Sequence, residues 1–108
     1  MDDAAFQSAA DATLTGLMDK IDEALGDQLD IDLEAGVLTI ELETGAQYLI
    51  NKHGPMRQLW LSSPVSGAGH YDYDATRGAW IDSRSGENLI ALLGTELGAT
   101  AGQPLDLD

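Results

Sequence analysis

Leu29-Asp30-Ile31-Asp32-Leu33-Glu34 alternates apolar and acidic side chains without interruption. A period of two is that of a β-strand with one face in a core and the other in water. A fold built on this segment therefore contains a sheet with one solvated face, which favours antiparallel pairing. The same period returns after a short break. Ala35-Gly36 reads as a turn, Val37 to Glu43 alternates again, and Thr44-Gly45 reads as a second turn.

The rest of the middle of the chain continues in short pieces. Tyr48 to Asn51 predicts a third strand, Gly54-Pro55 a break, and Gln58 to Leu61 a fourth strand. The Gly- and Ser-rich stretch Ser63 to Gly69 reads as a loop before a strand at His70 to Asp74, and Arg77-Gly78 precedes a short strand at Trp80-Ile81. Helical periods flank this block. Phe6, Ala10, Leu14, Leu17, Ile21 and Leu25 recur every three or four residues, with Asp3 expected as N-cap and Gly26 as the stop. A second helix is expected from an N-cap at Ser85 through Leu89, Ile90, Leu92, Leu93 and Leu97 to a stop at Gly98. Residues 99–108 are expected to form an irregular tail, anchored by Leu105 and Leu107.

These elements predict an α+β fold of one domain over residues 1–108: a two-layer sandwich, with two helices packed on one face of a roughly six-stranded antiparallel sheet. If Ile31, Leu33, Leu38, Ile40, Leu42, Ile50, Leu59 and Leu61 point inward, then Asp30, Asp32, Glu34, Glu41, Asn51, Gln58 and Trp60 point to the open face. A tryptophan among polar residues there has two readings, a covered surface ring and a contact anchor of the kind enriched in interface hot spots. Parity alone does not separate them.

Charge narrows the function. Residues 1–34 carry Asp2, Asp3, Asp11, Asp19, Asp22, Glu23, Asp27, Asp30, Asp32 and Glu34 against Lys20 alone, within a formal net charge of −14. That field repels phosphate backbones, so no nucleic-acid partner is expected; it favours cations or a basic protein surface. Acidic residues directly after Met1, where a secretory signal would be basic, and the lack of a long apolar run predict a cytoplasmic protein with no membrane segment. The absence of cysteine excludes disulfides, thiol catalysis and thiolate-held clusters. Any iron would be held by oxygen ligands or by His53 and His70.

Asp19, Asp22 and Glu23 stand at i, i+3 and i+4 on one side of the first helix, with Asp27 just past its end. Bare carboxylates suit hard, oxygen-seeking cations, and an exposed helix side would hold them weakly and still hydrated. On chemistry alone a merely solvated acidic face is the commoner explanation. Asp30, Asp32 and Glu34 fit the first positions of a calcium loop, but Ala35 stands where that loop requires glycine and a strand follows instead of a helix. The chain has no nucleophile-elbow, zinc-protease or phosphate-loop motif. His53 and His70, in separate segments, read as surface or loop histidines. No enzymatic activity is expected.

The stretch Ile50-Asn51-Lys52-His53-Gly54-Pro55, then Gln58-Leu59-Trp60-Leu61, then Tyr73-Asp74 and Trp80-Ile81-Asp82-Ser83-Arg84-Ser85-Gly86-Glu87 before a Leu-rich helix, resembles the bacterial, CyaY-type frataxin family. The order of elements and the acidic strand after an acidic helix agree, and the resemblance covers nearly the whole chain. It implies that Asp19, Asp22, Glu23, Asp27, Asp30, Asp32 and Glu34 form a ridge binding Fe²⁺ and Fe³⁺ weakly, with other divalent cations competing. It implies that the ridge, Asp22 and Glu23 included, docks on the cysteine desulfurase of iron–sulfur cluster assembly. By the same resemblance Asn51, Gln58 and Trp60 contact the assembly partners, the iron–sulfur scaffold protein among them, and Trp60 is exposed. Met18, Gln7 and Asp72 depart from residues that some relatives carry. The expected protein is mainly monomeric. Its alternatives are an iron-storing, ferroxidase-type oligomer and a metal-independent acidic protein-binding module.

Overall fold

The computed structural model describes residues 1–108. In chain order the elements are α1 (Asp3–Leu25), β1 (Leu29–Glu34), β2 (Val37–Leu42), β3 (Gln47–His53), β4 (Gln58–Ser63), β5 (Gly67–Asp74), β6 (Ala79–Asp82) and α2 (Leu89–Ala101). The six strands form one antiparallel meander in the order β1-β2-β3-β4-β5-β6. Ala35 and Gly36 both take positive φ, 51° and 77°, in the two-residue β1–β2 turn, the backbone hand that matches strand twist.

Both helices cover the same sheet face. The α1 stripe Phe6, Ala10, Leu14, Leu17, Ile21 and Leu25 is buried as its spacing predicts. It joins Leu89, Leu93 and Leu97 of α2 and Leu38, Ile40, Tyr48, Ile50, Leu59, Leu61, Tyr71 and Trp80 of the sheet in one core. Burial of a large apolar side chain contributes on the order of 1.5–3 kcal/mol. This shared core, and not helix propensity, fixes where the strands lie. The Trp80 indole donates to Thr13 Oγ1 at 2.9 Å and so satisfies its polar handle inside the core.

Several boundaries differ from expectation, each for a local reason. The N-cap of α1 is Asp2, whose carboxylate accepts the Ala5 N–H at 2.8 Å. Gly26 ends α1 in a right-handed conformation, φ −56°; glycine suits it because a Cβ there would lie 2.5 Å from the Asp22 carbonyl oxygen. The second helix starts later than expected, because Asp82 and not a helix takes up the segment after β6. The Asp82 carboxylate accepts the Arg84 and Ser85 N–H groups, both at 2.8 Å, and Asn88 becomes the N-cap.

Gly98 does not stop α2, which runs to Ala101 and closes on Gly102 at φ 70°. Gly94 and Gly98 instead let the C-terminal chain lie against the helix: a Cβ on either would sit 3.0 Å from the carbonyl oxygen of Leu105 or Gln103, respectively. Residues 99–101 are thus helical, and the irregular tail begins beyond Gly102 and buries Leu107. The expected Ser63–Gly69 loop is largely strand, since β5 begins at Gly67 and pairs Gly69 with Leu61. Its small residues hide the alternation, not the pairing.

Candidate functional site

The acidic third forms a continuous exposed border. Asp19, Asp22 and Glu23 on α1, Asp27 in the turn, and Asp30, Asp32 and Glu34 on β1 are all exposed. None of the seven is in an ion pair, because the two that exist join Lys52 to Asp11 at 2.8 Å and Arg77 to Asp74 at 3.6 Å. Lys20, the one base in this region, extends its ammonium to the Leu107 carbonyl at 3.1 Å instead. The ridge is therefore not neutralised from within.

Register brings Glu41, which strand parity already places on the open face, directly against the ridge. Asp30 stands directly opposite Glu41 across the β1–β2 ladder, a like-charge pair that costs stability. Asp27, Asp30, Glu41 and Glu43 border a shallow notch of about 200 Å³ at the end of α1. No three acidic or histidine side chains converge tightly enough to hold a metal ion. The donor set is all oxygen and spread along a border, which fits loose association of a hydrated hard cation and not an enclosed site.

The open sheet face carries a second, differently built site. Pairing places Asn51 opposite Trp60, Trp60 opposite His70, and His53 opposite Gln58. The Trp60 indole lies between two imidazoles: His53 at 3.6 Å between ring centroids with 9° between planes, and His70 at 4.4 Å with 19°. Its N–H donates to Gln58 Oε1 at 2.8 Å, and the Gln58 amide donates to Asp72 Oδ1 at 3.0 Å. Gln58 is on the outward face, yet only 7% exposed beneath this cluster. Trp60 and Asn51 are half-buried; for Trp60, two stacked rings replace the open exposure expected. Local spacing does not link the two histidines, because the strands that bring them together are separated in sequence.

The face is held from below by polar groups. Glu96 on α2, 8% exposed, accepts from the Tyr48 hydroxyl of β3 at 2.9 Å and the Ser63 hydroxyl of β4 at 2.6 Å. Burial, together with the Glu96 carboxylate as hydrogen-bond partner and charge, pushes the Tyr48 phenol up to about 12, although the Ser63 hydrogen bond opposes it. Burial and the charges of Asp82, Glu87 and Glu96 push Tyr71 to about 12 as well. Burial alone would raise Asp82; hydrogen bonds from the backbone of Ser85, Arg84 and His70 and from the Ser85 hydroxyl prevail and hold its carboxyl below the usual aspartate range.

Two helices behind an open antiparallel meander, with an unneutralised acidic border, define a small acidic α+β protein with two distinct surfaces, the ridge and the aromatic sheet face. No helix is long and apolar enough to cross a membrane. A match to the frataxin-like domain family spans residues 1–103. The chain is 41% identical to the iron-sulfur cluster assembly protein CyaY of Pseudomonas putida strain F1, over 100% of this chain and 96% of that one. Among solved structures, the frataxin of Psychromonas ingrahamii is similar with a TM-score of 0.87 at 31% identity, covering 100% and 99% of the two chains. A trimeric frataxin of Saccharomyces cerevisiae complexed with ferrous ion is similar with a TM-score of 0.76 at 34% identity, covering 88% and 87%. The chain belongs to the frataxin family.

Proposed function

We propose that this chain is a non-catalytic adaptor of iron–sulfur cluster assembly in the cytoplasm, which binds Fe²⁺ and Fe³⁺ weakly on its acidic ridge and docks through that ridge on the cysteine desulfurase. It acts there as an iron donor or an iron-dependent regulator. The observation that supports this most is the state of the seven ridge carboxylates: exposed, contiguous and free of every base in the chain. Unpaired surface acids attract a basic partner from a distance and need break no ion pair within the chain to meet it. Metal held on such a border keeps most of its water, as suits cargo that must be released.

Asn51 and Trp60 form the second contact area on this reading, and Gln58 supports it from beneath by fixing the indole. The test is calorimetry of the desulfurase with wild type and with Asp22→Lys plus Glu23→Lys, at low and high salt, with and without ferrous iron. The charge-reversed variant is expected to bind more weakly, and the wild-type complex to weaken as salt rises. Equal affinity of the two proteins at low salt overturns ridge docking.

A second reading, an iron-storing oligomer with ferroxidase activity, is favoured by one observation, the trimeric state of the yeast relative complexed with ferrous ion. Sedimentation during aerobic addition of ferrous iron separates the two. A monomer throughout supports the adaptor, and growing assemblies with rapid oxidation support the store.

A further inference from the structure

Trp60 has both faces and its only polar atom already in use. His53 covers one face at 3.6 Å, His70 the other at 4.4 Å, and Gln58 accepts the indole N–H at 2.8 Å. A ring so held cannot offer a face to a partner without dismantling the stack. What remains available is the edge of the indole and the outer faces of the two imidazoles. We propose that His53 and His70 are positioning residues of the sheet-face site, clamping Trp60 so that it meets its partner edge-on as the middle ring of a preformed three-ring stack.

The two histidines differ in what holds them. His53 ends β3, and its Nδ1 accepts the Met56 N–H at 3.3 Å, which ties the ring to the β3–β4 turn. Arg57 follows in the same turn with φ 51°, a backbone strain that the tight β3–β4 connection sustains. His70 is exposed and its ring makes no hydrogen bond; its backbone N–H donates to the Asp82 carboxylate at 3.1 Å and its carbonyl accepts the Ser83 N–H at 2.9 Å. The charged groups about it are Asp72 on the same strand face, Asp82, and Arg84 across a shared polar hollow, with Asp74 further along β5.

Preorganisation is the physical reason for such a clamp. A free surface tryptophan loses rotamer freedom on docking, whereas a clamped one has lost it on folding, and the difference appears as affinity. The inference rests on the reading that the sheet face docks an assembly partner, but the clamp has a readout that needs no partner.

The experiment uses the full chain with His53→Ala, His70→Ala, His53→Phe, His70→Phe and Trp60→Ala. Trp60 emission is isolated by subtracting the signal of Trp60→Phe, which leaves only the buried Trp80. Acrylamide quenching of Trp60 is expected to rise by about twofold or more in each alanine variant and to return to wild type in each phenylalanine variant, which keeps a flat ring over the indole. Desulfurase affinity is expected to fall roughly twofold to tenfold in the alanine variants and to be restored by phenylalanine.

Unchanged acrylamide quenching in both alanine variants overturns the clamp, whatever the binding data show. Raised quenching with unchanged affinity, while Trp60→Ala binds weakly, overturns the positioning role and leaves sheet-face docking intact. Full affinity of Trp60→Ala overturns sheet-face docking itself, and the positioning role with it, even where the quenching data bear out the stack.

Discussion

The ridge and the aromatic face are built on opposite terms. The ridge is seven exposed carboxylates with no ion pairs, held in place only by the helix and strand beneath them. The aromatic face is three rings, an amide and a carboxylate, in which Trp60 has no unassigned contact left except its edge. The first works as an electric field, tolerant of position and sensitive to salt. The second works as a shape, tolerant of salt and sensitive to any shift of β3 against β4. One surface therefore suits capture of a cation or a basic partner, and the other suits register once capture has happened.

The largest expected effect comes from breaking the shape from behind. Glu96→Ala leaves the Tyr48 and Ser63 hydroxyls of β3 and β4 without their acceptor in the core. An orphaned buried hydroxyl costs about 1–3 kcal/mol, so urea unfolding should show a loss of that order. Ser63 also accepts the Val65 and Ser66 N–H groups, both at 3.0 Å, so the β4–β5 connection should loosen together with the helix contact. The ridge should keep its affinity for cations. A loss below about 0.5 kcal/mol would show that the strands under the stack are held by apolar packing alone.

Charge reversal breaks the other side. Asp22→Lys with Glu23→Lys should weaken desulfurase binding at low salt by tenfold or more, about 1.4 kcal/mol. The same change removes i, i+3 and i, i+4 repulsion with Asp19 and should stabilise the fold by a few tenths of a kcal/mol. Function and stability move in opposite directions. Trp60→Ala should instead lower affinity without changing the slope of log Kd against log salt. If the two variants share one salt slope, the division into field and shape fails.

The two regions also differ in how far the sequence announces them. Asp19, Asp22 and Glu23 are neighbours by helical period and Asp30, Asp32 and Glu34 by strand period, so the ridge is legible from local spacing. The sandwich itself is legible for the same reason, with the α1 stripe buried residue for residue. What local spacing cannot carry is a contact across strands. His53, Trp60 and His70 meet only because the β3–β4 and β4–β5 turns set a register of Asn51 on Trp60 and Trp60 on His70. Turn length fixes that register, and a Ser63–Gly69 segment read as loop leaves it undefined. The misplaced ends of α2 have a similar cause. Gly98 looks like a helix stop until the tail is seen lying against it.

Alkaline pH should disturb the region beneath the aromatic face. Tyr48 and Tyr71 are each pushed up to about 12 by burial and neighbouring carboxylates. A phenol whose folded value is raised contributes stability that is fully present below its unfolded value near 10. That contribution is lost as pH rises from 10 through 12. Absorbance at 295 nm should show these two phenols ionising late and together with loss of near-ultraviolet circular dichroism. Tyr48→Phe should flatten that loss, at the cost of leaving Glu96 with one donor fewer.

The smallest expected effect sharpens the comparison most cleanly, because it touches only the field. Asp30 and Glu41 face each other across β1 and β2 on the solvated side. Like charges directly opposite are destabilising by roughly 0.2–1 kcal/mol. Glu41→Gln should therefore raise thermal stability by that amount at low ionic strength. The gain should vanish at 1 M salt, where the Debye length falls to about 3 Å. Millimolar magnesium should stabilise wild type more than Glu41→Gln, because the cation relieves the same repulsion that the substitution removes. Trp60 quenching should not change in either protein. A gain that survives 1 M salt would assign the effect to side-chain packing on the sheet and would remove Glu41 from the ridge.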